Sequence, residues 1–594
     1  MMSEFWLHPS LLLLVGAALL PLVPGRARKA WLLLVPLLVL WRVAVLEPGT
    51  HGVVRFLDWP LVFGRVDALS RVFGLIMAAM CCLGTLYGLH VRGSAEHAAA
   101  WVYVAGSLGA IHAGDYLTLF LFWELMAMAS VFLVWFRRRD GSEGAGLRYF
   151  LVHTAGGLTL LLGIVLLGRG TGGDLSFVAL DVARPTAATW LILGGFLLNA
   201  AVPPLHAWLP DAYGEATPTG SVFLCAFTTK TAVYALCRGF AGMEILVPLG
   251  VVMALYGVVY AVLENDCRRL LAYHIISQVG YMVAGVGLGT QLAINGACAH
   301  AFAHILYKGL LFMGCGAVLH MTGRSRFTEL GGLYRRMPWT FVFTLVGGLS
   351  ISAFPLFSGF VSKSMIVAAG FEEHRPVVGY LLMLASVGTF LHTGLKVPYF
   401  IWFGDRHATE ETWQRAQEPP WNMGLAMAIA SVLCILIGCW PSGLYRWLPH
   451  AAEYHPYTAY HVSETLLLLL FTAVGFFVLL RKLTPEPSIS LDLDWFYRKG
   501  GRLFLRMVRG PLRAADDALG RLYRAAGLRS LAGSALRVAR FDGRVIDAAV
   551  DGFAGRVRAV GGWMRGIQRG SVQENLLLAV GIATAVVVAL LMFN

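Results

Sequence analysis

Apolar positions along this chain fall in long, nearly unbroken blocks. They do not alternate as strands do, and they do not form the one-sided stripes of soluble helices. Most blocks reach the ~20 residues that a membrane-spanning helix needs. Sixteen are expected to be helical spans, at about 10–24, 29–45, 67–90, 97–113, 115–136, 147–168, 186–208, 219–239, 243–263, 268–288, 293–320, 338–370, 376–402, 421–441, 463–481 and 573–593. The first is not expected to be a signal peptide, because Glu4 and His8 precede it and no small-residue cleavage site follows. Two blocks are interrupted. The run 186–208 meets Pro203–Pro204, and the run 338–370 contains Gly347, Gly348, Pro355 and Gly359. A proline inside a span frees carbonyls that lipid cannot satisfy, so such breaks are tolerated only inside protein or beside a wet cavity.

The polar residues within the blocks carry the chemistry. Glu124 sits near the middle of its span, with more than two apolar turns on each side. Lys230 is too far from either end of its span for easy snorkelling. His300, His304 and Lys308 recur every four residues, so they stack on one helix face with about 6 Å of rise per step. Lys363 follows the second break, and His392 and Lys396 lie in the next span. His153, Asn199 and His274 add further polar positions, the last beside Ser277 and Gln278. Ionisable groups at membrane depth point to an ion or proton path, with helix-gluing polarity as the competing reading. His206, Asp211 and Glu215, after the first break, read as a solvated helix-end network. Glu264, Asp266, Arg268 and Arg269 read as interfacial charges.

Landmarks recur at a fixed distance. Asn199 to Lys363 is 164 residues, and Lys230 to Lys396 is 166. Five spans per half is an odd number, so the halves 96–240 and 241–405 are expected to insert with opposite topology, as an inverted repeat. The remaining divisions are 1–95, 406–482, a basic segment 483–571 and a last span 572–594. The fold class is therefore an all-α membrane protein with two inverted five-helix repeats, broken helices and a lateral amphipathic helix before the last span.

Composition sharpens this. With 57% apolar and 14% charged residues and a mean hydropathy of +0.67, the chain is a polytopic membrane protein. Residues 481–570 hold 18 Lys/Arg against eight Asp/Glu, which is +10 of the formal +13. Apolar residues recur there at helical spacing among the arginines, the pattern of a helix lying in the membrane plane. Gly500, Gly501, Gly510, Gly520 and Gly527 argue against one unbroken rod. Tethering between two spans excludes nucleic acid as the partner of these arginines. The nine cysteines lack zinc or iron–sulfur spacing, and no Walker loop, GxGxxG or HExxH is present. No metal, cofactor or redox centre is expected, and the chain is not assigned an enzymatic reaction of its own. Arg26, Arg28, Arg92, Arg137, Arg138, Arg139, Arg268 and Arg269 lie in alternate loops, which places those loops in the cytoplasm and both termini outside.

The stretches FWELMA around Glu124, PLHAWLPDAYGEATPTGSV, DCRRLLAYHIISQVGYM, HAFAHILYKGLLFM and SGFVSKSMI resemble the antiporter-like subunits of respiratory complex I and of Mrp-type Na+/H+ antiporters, over about residues 60–410. Lys230 resembles the complex I M and Mrp D subunits. The His-His-Lys series and basic tail resemble the complex I L subunit, and membrane-bound hydrogenases use similar subunits. The resemblance implies a proton path through Glu124, Lys230, His300, His304, Lys308 and Lys363; the pattern of buried polar residues adds Lys396 to it, with His153, Asn199, His206 and His274 as accessories. One departure stands out: where the family carries a lysine on the first broken helix, this chain has Asn199, which cannot exchange a proton. The expected function is a proton-translocating subunit in the plasma (inner) membrane, Mrp D-like, with other membrane subunits as partners and Na+ as a candidate second cation. Rival readings are a subunit of a redox-driven pump of NADH dehydrogenase or hydrogenase type, a proton-coupled subunit for inorganic carbon uptake, and a non-transporting scaffold.

Overall fold

A computed structural model describes residues 6–57, 59–487, 491–567 and 570–592. Among them, every expected apolar run is occupied by helix, and eleven helices are long and apolar enough to cross a membrane. Shorter apolar helices fill Pro9–Leu22, Ala187–Asn199 and Pro338–Ile351. The chain divides into two units, Met1–Asp494 and Trp495–Asn594.

In the first unit a β-hairpin, which the hydropathy pattern did not suggest, pairs Gly49–Phe56 with Trp59–Val66 antiparallel, Gly49 opposite Val66. It leads into Asp67, which caps the helix Ala68–Tyr87 and takes two bonds from the Arg238 guanidinium, both 2.8 Å. Burial pushes the Asp67 carboxyl up, but hydrogen bonding and charge from Arg238 outweigh it and hold the group at about 2. The helices Ala68–Tyr87 and Thr228–Gly239 are thereby pinned together.

The helices Leu246–Leu263 and Cys267–Leu288 approach backbone to backbone. A Cβ on Gly257 or Gly280 would come within 2.5 Å of main-chain atoms of the facing helix. Apolar side chains gain little by leaving lipid for protein, so close packing through small residues supplies the adhesion.

Both broken helices are present, and they end alike. Ala187–Asn199 stops at Ala201 (φ 59°) and Pro338–Ile351 stops at Ala353 (φ 58°), each two residues before a proline. The left-handed alanine turns the chain aside, and the proline then forbids the helix to resume in line. A further break was not expected: the Lys230 span is two helices, Pro218–Leu224 and Thr228–Gly239. The span carrying Lys396 contains a π-helical turn, Phe390–Lys396, a feature common at functional sites.

The second unit is helical from Trp495 to Ile567, followed by the helix Val572–Met592. The glycines do not interrupt it. Three π turns, Val508–Leu512, Tyr523–Leu528 and Asp542–Asp547, lie between the α-helical stretches without a gap. Each turn takes up extra residues inside a continuing helix, and Pro511, which lacks an N–H, falls within the first of them.

Candidate functional site

The first half presents Glu124 on the helix Tyr116–Trp135. The carboxylate lies over Gly157 of the helix Asp140–Gly170, where a Cβ would overlap its Oε1, and that oxygen has no partner among the described residues. His153, one turn from Gly157, is buried with ring contacts to Tyr149 at 4.2 Å and Trp208 at 4.5 Å. It neighbours Asn199, yet neither side chain completes a hydrogen bond. Asn199 is fully buried at the last turn before the break, where Trp208 Nε1 donates to the freed Leu198 carbonyl at 3.0 Å.

Lys230 is fully buried and donates to the Cys225 carbonyl at 2.6 Å and to Thr229 Oγ1 at 3.1 Å. It therefore answers the break in its own helix. Glu124 forms no ion pair with it or with any other described residue.

At the centre runs the helix Gln291–Thr322. His300, His304 and Lys308 are fully buried along it, with His300 and His304 ring centroids 6.1 Å apart. His300 Nδ1 lies 3.2 Å from Ser362 Oγ, one residue from Lys363. Both His304 nitrogens and Lys308 Nζ lack a partner among the described residues. Lys230 is an electrostatic neighbour of His300, His304 and Lys308, and Lys363 of His300. The helix thus bridges the two lysines.

In the second half Lys363 is buried and donates to the Ile351 carbonyl at 2.8 Å and to Ser386 Oγ at 3.3 Å, with Nζ 5.1 Å from the Tyr281 ring centroid. It lines a cavity of about 500 Å³ whose wall also carries Ser364, Ser386, Tyr454, His461 and Glu464. His274 and His392 rings meet edge to face at 4.6 Å. Lys396 donates to the carbonyls of Val262 (2.7 Å) and Glu264 (2.9 Å). Of the four lysines along this buried axis, Lys230, Lys308, Lys363 and Lys396, all but Lys308 therefore bind carbonyls at helix breaks or ends, because an ammonium is the natural donor for carbonyls that a broken helix leaves over.

Several sequence readings are corrected. His206 is not in a solvated network: it is fully buried and bonded to Asp492. Asp211 does pair at the surface, with Arg148 at 2.6 Å. Arg268 is not interfacial but fully buried, donating to the carbonyls of Gly214, Ala216 and Thr217. Asn199 and Lys363 also do not hold matching places, since Asn199 precedes its break and Lys363 follows its own. Sequence reasoning missed Gly157, the Glu464 wall of the cavity and Asp492. Only Glu464 carried a readable signal, as a carboxylate inside an apolar run.

A family model described as NADH:quinone oxidoreductase/Mrp antiporter, TM, matches residues 113–391. That stretch holds Glu124 and every axis lysine except Lys396. The chain is 31% identical over 424 residues to the uncharacterized protein MJ1309 of Methanocaldococcus jannaschii, covering 67% of this chain and 86% of that protein. It is 29% identical over 458 residues to hydrogenase-4 component B of Escherichia coli (69% and 67% covered). It is also 29% identical over 396 residues to the D subunit of the Na(+)/H(+) antiporter of Alkalihalophilus pseudofirmus (62% and 78%). Among solved structures, a chain of the membrane-bound sulfane sulfur reductase, an archaeal respiratory membrane complex, shares the fold with a TM-score of 0.69 at 24% identity, covering 98% of this chain and 99% of that one.

Proposed function

Because the chain belongs to the NADH:quinone oxidoreductase/Mrp antiporter transmembrane family, we propose that it is a proton-translocating subunit of a multisubunit membrane complex. The observation that carries this reading is the buried series Lys230, His304, His300 and Lys363, which no carboxylate neutralises among the described residues. A buried polar atom left without a hydrogen bond costs roughly 1–3 kcal/mol. The unpartnered atoms of Glu124, His153, Asn199, His274, His304 and Lys308 therefore call for water along the axis, and water linking titratable groups conducts protons. Protons move between Lys230 and Lys363 through the histidines, while the cavity beside Lys363 connects that end with the outside of the protein.

In the full reading the complex sits in the inner (plasma) membrane, with both termini extracytoplasmic. Residues 96–240 and 241–405 form inverted repeats, and the similar endings of the two broken helices support this division. The tail lies along the cytoplasmic face against neighbouring subunits. The relative from an Na(+)/H(+) antiporter favours exchange with Na+. A second reading, a subunit of a redox-driven complex, is favoured by the relative that is a hydrogenase component. Purified intact complex in proteoliposomes separates the two. A sodium gradient that drives proton movement supports the antiporter, and movement only on addition of an electron donor supports the redox pump. A complex that moves no protons under either condition ends both.

Two further expectations arise here. Gly157→Ala adds a methyl where the Glu124 carboxylate lies, and it improves helix propensity by about 1 kcal/mol, so the helix persists while the carboxylate is displaced. Proton movement is expected to fall by about tenfold, since misplacement of about 1 Å can cost more than that. Glu124→Asp in the same chain should restore part of it. Wild-type rates for Gly157→Ala alone would count against a role for Glu124. For the tail, no described residue of the helices between Asp494 and Met592 is buried. Trypsin is expected to cut at its arginines in the isolated chain and to be excluded in the complex. Equal cleavage in both states would remove the tail as a docking element.

A further inference from the structure

The stretch just ahead of the tail returns to the first break. Asp492, two residues before the tail helix begins at Asp494, is buried. Its Oδ1 and Oδ2 lie 3.1 and 3.2 Å from His206 Nε2. The Tyr273 hydroxyl donates to Oδ2 at 2.7 Å, and the Tyr256 hydroxyl donates to Oδ1. Tyr260 donates to the Leu491 carbonyl at 3.1 Å, and the three tyrosine rings stack at 4.5 and 5.2 Å. Of the other charged groups nearby, Arg269 and Glu264 pair with each other at 3.2 Å, and Asp211 and Asp266 lie close enough to Arg269 to interact with its charge. His206 packs edge-on against Tyr256 at 4.7 Å, and its Nδ1 is buried without a partner among the described residues. Residues 200–205, the break itself, join His206 to Asn199.

We propose that Asp492 is a positioning residue for proton entry into the first half: by accepting from His206 Nε2–H it fixes the ring and leaves Nδ1 as the inward-facing atom that takes and releases the proton. This rests on the proton-translocating reading above. It gives the first half a titratable relay at the far end of the break that follows Asn199. Burial works against the Asp492 carboxylate, but the hydrogen bond and charge of His206, aided by the tyrosine hydroxyls, hold its pKa down at about 2. Asp492 therefore stays ionised and acts only as acceptor, the part a carboxylate plays behind a catalytic histidine. Burial of a charge at this spot is tolerable because four donors, including the Leu493 main-chain N–H, converge on it.

Asp492→Asn keeps the shape and the acceptor oxygen but loses the charge. Removing the charge takes away attraction for a proton arriving on the ring, so the variant should lose activity from the alkaline side. In vesicles carrying the assembled complex, proton movement measured from about pH 6 to about pH 8.5 should show the alkaline limb displaced downward by about one unit, giving roughly tenfold slower movement near pH 8 and little change near pH 6. Asp492→Glu should follow wild type. Slowing by one factor at every pH would show that Asp492 only anchors the chain, and wild-type rates at every pH would show no role; either overturns the assignment. A wild-type complex that moves no protons would instead overturn the reading on which it rests.

Discussion

Lys363→Ala is expected to stop coupled proton movement while the chain still folds and assembles. Lys363 is the basic group that faces both the central histidines, through Ser362 and His300, and the cavity beyond the second broken helix. Removing a proton carrier typically lowers a transfer rate by about a hundredfold or more, so the signal should fall to background. The structural loss is smaller. The Ile351 carbonyl loses its 2.8 Å donor, a penalty of roughly 1–3 kcal/mol that water from the adjoining cavity can offset. Lys363→Arg separates the two roles, because guanidinium keeps the charge and the donor capacity but does not deprotonate in proteins. It should assemble normally and be as inactive as the alanine variant. An active arginine variant would show that the site needs a fixed cation and not a carrier.

Lys230→Ala is the second large effect, and Asn199→Lys is its counterpart. With asparagine before the first break, Lys230 is the first lysine of the axis, and the alanine variant is expected to be inactive. If Lys230 has taken over the role of the missing lysine, Asn199→Lys places a second cation in the first half, beside His153. At an effective dielectric near 20, unit charges about 4 Å apart interact by roughly 4 kcal/mol. Repulsion even a third as strong would slow transfer by about tenfold. The double variant then decides between address and identity. Wild-type rates would mean that the lysine had merely moved, and failure would mean that Lys230 at its own break is required. Proton movement in proteoliposomes is the readout throughout, and a fully active Lys230→Ala protein would end the proposal. Because Lys230 is tied to Cys225 and Thr229, any coupling to Glu124 runs through intervening groups and not through direct contact.

The axis was legible in the sequence for a physical reason: charged and imidazole groups inside apolar blocks are too costly to occur without purpose. Glu124, Lys230, His300, His304, Lys308, Lys363 and Lys396 stood out against lipid-like surroundings, and the stacking of His300, His304 and Lys308 on one face follows from the helical period. The two proline-marked breaks and the tail's amphipathic character were readable on the same grounds. The break beside Lys230 was not, since Cys225–Phe227 contains neither proline nor glycine and only tertiary packing opens the helix there. The tail's glycines were misread because π turns can carry a helix past residues that propensity alone would take as stops.

What the sequence determined by itself is which apolar runs become helix and which titratable groups they carry, because hydropathy and helical period are local properties of the chain. Tertiary structure alone decided which carbonyls the lysines answer, that Gly157 makes room for Glu124, that Arg268 is an internal strut, and that Asp492 reaches His206 from 286 positions away. Those contacts depend on which helix faces meet and on where a loop returns. No local pattern records that, because a single aspartate in a polar linker looks the same whether it ends in water or on a buried histidine.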